Sequence, residues 1–145
     1  MIGALRTLWR GLQRHPETAP AVLTAAAQAR SLRLLVQNLS NTQRREFARR
    51  SCFEVTGGVT GKRYRIGASH MYNVALLDEG GDCEYLLCFA PTGELPLADV
   101  LLAQKLTLEL YESEALKVAN KCPLVRVGWE PTPWQPQLAP RRLHR

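Results

Sequence analysis

The sequence predicts an α+β fold: N-terminal helices, a four-stranded antiparallel meander, a central buried helix and an extended, proline-rich C-terminal tail. Three observations predict it. The hydrophobic period changes from helical to alternating at Cys52. The connections between the alternating segments are too short to hold crossover helices, which makes their sheet antiparallel. Residues 97–111, LADVLLAQKLTLELY, are apolar on two opposed sides of a helix, as a helix buried between two layers must be. At a helical turn of about 100° per residue, Leu97, Val100, Leu101, Leu108 and Tyr111 fall on one side and Leu102, Ala103, Leu106 and Leu110 on the other. Lys105, Glu109 and Glu112 take one narrow edge, and Gln104 and Thr107 lie toward the other. This helix is therefore expected to be the middle layer, with the meander on one face and the N-terminal helices on the other.

The elements follow in order. Residues 1–19 are an amphipathic N-terminal arm. MIGALRTLWRGLQRH carries Arg6, Arg10 and Arg14 and no acid, and Leu5, Leu8, Trp9 and Leu12 share a helical face. That composition fits an organellar presequence, a membrane-surface helix or a packed amphipathic helix with solvated arginines, and the packed helix is preferred. Pro16 and Pro20 flank a break. An α+β domain then spans residues 20–127. Its first helix runs over about 20–39, with an alanine-rich start and a stripe of Leu32, Leu35, Val36 and Leu39. Ser40 and Gln43 have capping-box spacing and open a short helix to about Ser51, which buries Phe47.

Phe53 and Val55, then Tyr64 and Ile66, then Tyr72, Val74 and Leu76 alternate with polar or small neighbours, and residues 84–90 are a nearly continuous apolar run. These read as four strands, separated by the turn signals GGVTG, residues 67–70 and DEGGD. Pro91 and Gly93 end the meander. The central helix is capped by Asp99 or begun at Pro96, and a separate short helix covers about residues 113–120. Residues 122–127 read as a last strand or an extended arm. Residues 128–145 form a proline-rich basic tail, whose prolines forbid a helix or an inner strand and favour extended polyproline conformation.

A chain of 145 residues can bury a single core without disulfides or metals. Its 46% hydrophobic and 22% charged residues argue against global disorder. The net charge of +6 points to anionic partners (nucleic acid, acidic protein faces, anionic lipid) or to an ordinary basic soluble protein. Cys52, Cys83, Cys88 and Cys122 form no CxxC pair, and His15, His70 and His144 add no tight spacing, so neither a metal nor another cofactor is expected. No signal peptide is evident, and reduced thiols are expected. No apolar run is long enough to span a membrane. The expected location is the cytoplasm or the interior of a virus-like particle, with organellar import left open by the N-terminal arm.

TGGVTGK invites a phosphate-loop reading and fails it. The glycine spacing is one residue short, Arg63 stands where Ser or Thr is needed, and a strand rather than a helix follows. A glycine-rich hairpin loop explains the segment. Ser69 or Cys88 with His70 makes a nucleophile–base pair only on paper, because no flanking pattern supports either nucleophile. Asp78, Glu79 and Asp82 read as a solvated hairpin tip. No acid–base constellation stands out, and an enzyme is not expected. The basic cluster Arg44, Arg45, Arg49, Arg50, Lys62, Arg63 and Arg65 is the strongest binding signal, with Tyr64 interleaved as a ring that could stack a base. Such a cluster serves nucleic-acid or other anion binding, a protein interface or a solvated face equally well. Trp9, Trp129 and Trp134 are candidate anchors for partner docking.

The segments FEVTG, TGKRYRI, NVALLDEGG, CFAPTGELPLADVLLAQKLTLELYE and ALKVAN, within residues 50–120, resemble small uncharacterised proteins of bacteria and their phages. The resemblance covers about half of the chain, contains no catalytic motif and implies no site residues. It implies a microbial or viral accessory protein. The functional expectation is a non-enzymatic interaction or assembly protein, a phage or bacterial accessory or structural component docking on a protein partner or on itself through its terminal arms. The alternative is nucleic-acid binding through the arginine–lysine patch, and attachment to a membrane surface is a third, weaker option.

Overall fold

The structure, a computed structural model, describes residues 24–69 and 72–123. Helix α1 spans Ala25–Asn38, and the Thr24 hydroxyl accepts a hydrogen bond from the Ala27 amide at 3.1 Å to cap its start. Its buried stripe is Ser31 and Leu35, continued by Leu39 just past its end; Val36, expected in that stripe, is exposed. Helix α2 spans Asn41–Arg50 and opens with the expected capping box. The Gln43 amide donates to Ser40 Oγ at 3.2 Å, and the Ser40 amide donates to Gln43 Oε1 at 3.0 Å. Ser51, at φ 53°, turns the chain left-handed and ends α2 directly before the first strand.

The sheet has five strands rather than four: β1 (Cys52–Thr56), β2 (Arg63–Gly67), β3 (Val74–Leu77), β4 (Cys83–Cys88) and β5 (Asn120–Pro123). They lie in sequence order and every neighbouring pair is antiparallel, so the expected meander gains one strand at its far edge. β5 overlaps the stretch 122–127 that reads as a last strand or an extended arm, but it begins earlier, at Asn120, where NKCP carries no apolar alternation and pairing with β4 makes it a strand. In the observed register Phe53 faces Ile66, Val55 faces Tyr64, and Ile66 faces Val74. These residues put one apolar face toward the helices, and Phe47 of α2 meets Phe53 edge-on, with ring centroids 5.9 Å apart. The opposite face carries Glu54, Arg63 and Arg65. At the outer edge of β1, Gln43 Nε2 donates to the Glu54 carbonyl at 2.7 Å and the Glu54 amide donates to Glu46 Oε2 at 3.1 Å. Side chains of α2 thus occupy backbone groups that an edge strand would otherwise present for pairing.

Helix α3 spans Leu97–Val118, packed against α1 on one side and against β1 and β2 on the other. The expected middle layer is present in outline. Its start has Pro96 at the cap position without a side-chain cap, and Asp99 sits inside the first turn. The short helix expected at residues 113–120 is the second half of α3, which continues through a kink at Tyr111 (φ −137°, ψ 40°). Leu101 and Leu108 are fully buried on the first apolar side. On the second side cover runs out along the helix: Leu102 is 8% exposed, Leu106 40% and Leu110 64%. At about 1.5 Å per residue, the 14 residues of α1 span roughly 21 Å and the 22 of α3 roughly 33 Å, so α1 alone cannot cover the whole length of α3.

Gln104, expected toward a polar edge, is buried because it meets Asn73 at the entry to β3. The two amides exchange hydrogen bonds of 2.7 and 3.0 Å, Gln104 Nε2 also donates to the Phe89 carbonyl at 2.7 Å, and Asn73 Nδ2 to the Gly67 carbonyl at 3.2 Å. This pair fixes the start of α3 over the end of the sheet where β2 turns into β3. Gln104→Ala strips Asn73 and Phe89 of a buried partner and is expected to lower stability by about 2–3 kcal/mol in a denaturant titration. A loss under about 0.5 kcal/mol would show that the pair contributes no net stability.

Candidate functional site

Where the turn from β1 to β2 meets the kink of α3, the chain builds an anion site and fills it with its own carboxylate. Glu112 is fully buried. Its Oε2 accepts from the amides of Val59 at 2.8 Å and Thr60 at 2.7 Å, and its Oε1 accepts from the Tyr64 hydroxyl at 2.6 Å and from the Thr60 hydroxyl. The Thr60 oxygen in turn accepts from the Lys62 amide at 3.2 Å. Gly57 and Gly58 are required by closeness rather than by torsion. A Cβ on Gly57 would overlap the Glu112 carboxylate, and a Cβ on Gly58 would overlap the Glu109 carbonyl. The Gly58 amide donates to the Leu108 carbonyl at 3.0 Å, and a donor inserted into a helical ladder is one of the few causes of a sharp kink. The kink turns Glu112 inward and leaves Tyr111 64% exposed.

No cation stands within ion-pair distance of Glu112 among the described residues. Burial works to raise its pKa, yet the hydrogen bonds from the Thr60 and Tyr64 hydroxyls and from the Thr60 and Val59 amides outweigh burial and lower it from 4.5 to about 2. Burial and the adjacent carboxylate push the Tyr64 phenol up. A carboxylate held that low is a poor general base, so the arrangement acts as a clasp. The segment is the hairpin turn expected of it and not a phosphate loop, yet its amides do hold an anion, the chain's own Glu112. The signal for it in the sequence was a glycine pair that nothing local required, together with an acid on the helix expected to be buried.

The clasp decides the fate of one predicted site residue. Tyr64, read as a base-stacking ring, is fully buried and hydrogen-bonded to Glu112, which removes its face from any ligand. Arg63 and Arg65 both bind Glu54, at 2.7 and 2.8 Å. Burial works to raise the Glu54 pKa, but the two guanidiniums overcome this and hold it below the usual range. Arg44 donates from Nε to the Val36 carbonyl at 2.8 Å and from Nη2 to the Gln37 carbonyl at 3.4 Å, which caps the end of α1. Arg45 reaches Thr42 Oγ1 at 3.5 Å. Arg49 and Arg50, in the last turn of α2, are exposed and make no ion pair among the described residues, and Lys62 is exposed at the β1–β2 turn. The seven basic residues are therefore divided between α2, the turn and the outer face of the sheet. Arg30 and Arg33 of α1, which the sequence reading did not include, are exposed as well.

A second feature is apolar. Leu106, Leu110, Tyr111 and Val118 are exposed along the later part of α3, with Val59 exposed on the turn that holds Glu112. Trp9, Trp129 and Trp134 lie outside the described residues, as do His70, the N-terminal arm and the C-terminal tail. No cysteine is in a disulfide, and burial pushes the thiols of Cys52 and Cys83 up. Among the described residues no group of three His, Cys, Asp or Glu could hold a metal ion, and no helix is long and apolar enough to cross a membrane.

Two outcomes follow from the clasp. Glu112→Gln is expected to lower stability by about 2–3 kcal/mol at neutral pH, because charge-assisted bonds to buried donors are lost. The folded-state pKa lies below the ordinary value, so the unfolded chain takes up the proton first. The clasp's contribution is complete above pH 4.5 and vanishes as the pH falls through about 2. Denaturant midpoints of wild type and Glu112→Gln should converge as the pH falls from about 6 to about 2, and a widening gap would refute the assignment. Separately, Gly57→Ala should destabilise by about 1–3 kcal/mol in the wild type and by far less in a Glu112→Ala background, where the space is vacant. Equal losses in the two backgrounds would mean that Gly57 is not there to admit the carboxylate.

Compared with protein-family models, with curated proteins and with solved structures, the chain matches none, and its function has to be read from its own geometry.

Proposed function

We propose that this chain is a non-enzymatic assembly component that docks on protein partners, through the apolar end of α3 and through its terminal arms. The observation that carries this reading is the loss of cover along α3. Leu110, Tyr111 and Val118 are 64, 64 and 71% exposed on one helix. Single exposed apolar residues are ordinary, but a group of large ones at one end of one helix is the composition of a protein interface. Trp9, Trp129 and Trp134 supply further anchors on the arms, where large aromatic side chains contribute most to binding. The low pKa of Glu112 supports a structural rather than catalytic use of the most polar buried site. The setting is that of a bacterial or phage accessory or structural protein, as the resemblance of residues 50–120 implies.

A second reading, nucleic-acid binding, has its own observation. Helices α1 and α2 expose Arg30, Arg33, Arg44, Arg45, Arg49 and Arg50 against the single acid Glu46. Phosphate contacts of that kind set affinity without reading sequence, and their sign is copurifying nucleic acid that leaves at high salt.

A photo-crosslinking side chain placed at position 111 tests the first reading. Introduced in bacterial cells producing the full chain, it is expected to give a discrete protein adduct, identified by mass spectrometry. Leu110→Asp should abolish that adduct while shifting stability by no more than about 0.5 kcal/mol, since Leu110 is largely exposed. A probe at position 33 should give no such adduct. Identical products from both positions, or none from position 111, would count against docking through α3.

A further inference from the structure

The topology puts an arginine-bearing helix face at one end of the sheet and an acidic turn at the other. Arg49 and Arg50 close α2, and β1 begins at Cys52, so these arginines stand where β1 starts. β1 runs away from them to the turn at residues 57–62, β2 returns, and β3 runs out again. The turn between β3 and β4 therefore lies at the far end of the sheet. Gly81 in that turn is beside the Arg63 guanidinium, at the far end of β1, where a Cβ on Gly81 would lie 3.9 Å from Nη2. Five strand residues separate the two ends, a distance of roughly 17 Å.

At the near end Arg45, Arg49 and Arg50 form an exposed helix face, Arg45 and Arg49 being one turn apart, and none of them makes an ion pair among the described residues. At the far end the turn DEGGDCE carries Asp78, Glu79, Asp82 and Glu84, three of them exposed. Asp78 is partly used within the turn, where its Oδ1 accepts from the Asp82 amide at 2.8 Å. The cations at this end are Lys62, exposed on the neighbouring β1–β2 turn, and Arg63, which is held by Glu54 and also acts on Asp78. The arginine face and the acidic turn of one copy cannot reach each other, but those of two copies can. A nucleic-acid strand would engage the arginines and not the acidic turn, whereas a second copy uses both.

We propose that the basic face of α2 receives the acidic β3–β4 turn of a second copy of this chain, in a head-to-tail contact. The inference rests on the assembly reading and names one of its partners. A contact between two different patches does not exhaust itself in a dimer. It closes a ring or runs on as a filament according to the angle between successive copies.

The test is light scattering of the full, nuclease-treated chain between about 50 and 500 mM salt, over which the screening length falls from about 14 Å to about 4 Å. The expected result is a multi-copy particle at low salt that dissociates at high salt. Arg49→Glu with Arg50→Glu, and separately Asp78→Lys with Glu79→Lys and Asp82→Lys, should each weaken self-association by about a hundredfold, because like charges then meet. An equimolar mixture of the two variants should regain it, since each then offers what the other lacks. Recovery in the mixture also shows that both variants are folded. Association unchanged in both variants overturns the head-to-tail contact and leaves assembly standing. A monomer at every salt concentration overturns it too, with docking through α3 judged independently by the crosslink at position 111. Particles found only in samples that have not been treated with nuclease overturn it in favour of nucleic acid.

Discussion

A carboxylate taken out of water with no cation beside it carries a desolvation penalty of several kcal/mol, and here Glu112 is held that way by four hydrogen bonds from one short turn and one tyrosine. Much of the local structure is arranged around that anion. The turn between β1 and β2 must present two amides and a hydroxyl to one point, which requires glycine at positions 57 and 58 so that α3 can come close. Tyr64 must sit in the core with its hydroxyl aimed at the same point. The helix must break its ladder to bring Glu112 inward, and at the break Tyr111 is left facing solvent. The exposed Tyr111 ring and the buried anion are thus two results of one kink.

The large features of the fold were legible in the sequence, because they are written in periodicity and in turn chemistry. The change of period at Cys52, the Ser40–Gln43 capping box and the glycine-bearing turns each describe a local preference, and the structure keeps each of them. What was not legible depends on partners distant in sequence. Residues 122–127 read as a last strand or an extended arm, but that the strand begins at Asn120 and joins the meander as its fifth member follows from its pairing with β4. Gln104 and Glu112 look like the polar margin of a helix and are buried because Asn73 and the residue 59–60 amides meet them. Tyr64 looks like a stacking ring until its hydroxyl finds a carboxylate 48 positions away. For the candidate surface, the arginines were visible as a cluster in sequence. Their division could not be seen, since Glu54 lies on the neighbouring strand and the carbonyls that Arg44 caps belong to the preceding helix.

The two edges of the sheet are treated differently, and both treatments disfavour strand addition. On β1 the side chains of Gln43 and Glu46 occupy the Glu54 backbone. On the opposite side of the described sheet β5 carries Lys121 and, at Pro123, has no amide hydrogen to donate. The association between copies proposed above would fall to side chains, at the charged ends and the apolar part of α3. Contacts of those kinds can be tuned by salt or by single substitutions, whereas sheet-to-sheet growth resists reversal.

The position of β5 in the chain has a consequence for synthesis. Strands β1 to β4 are complete by residue 88, but the strand that covers the outer edge of β4 comes only after the 22 residues of α3. As the chain emerges from a ribosome, the outer backbone edge of β4 waits unpaired until residue 123 has passed out. At roughly 5–20 residues per second that interval lasts seconds, long beside the microseconds in which hairpins form. The nascent chain is therefore most prone to pair wrongly in this window, and a chaperone that holds exposed strand edges would act on it then rather than on the finished protein.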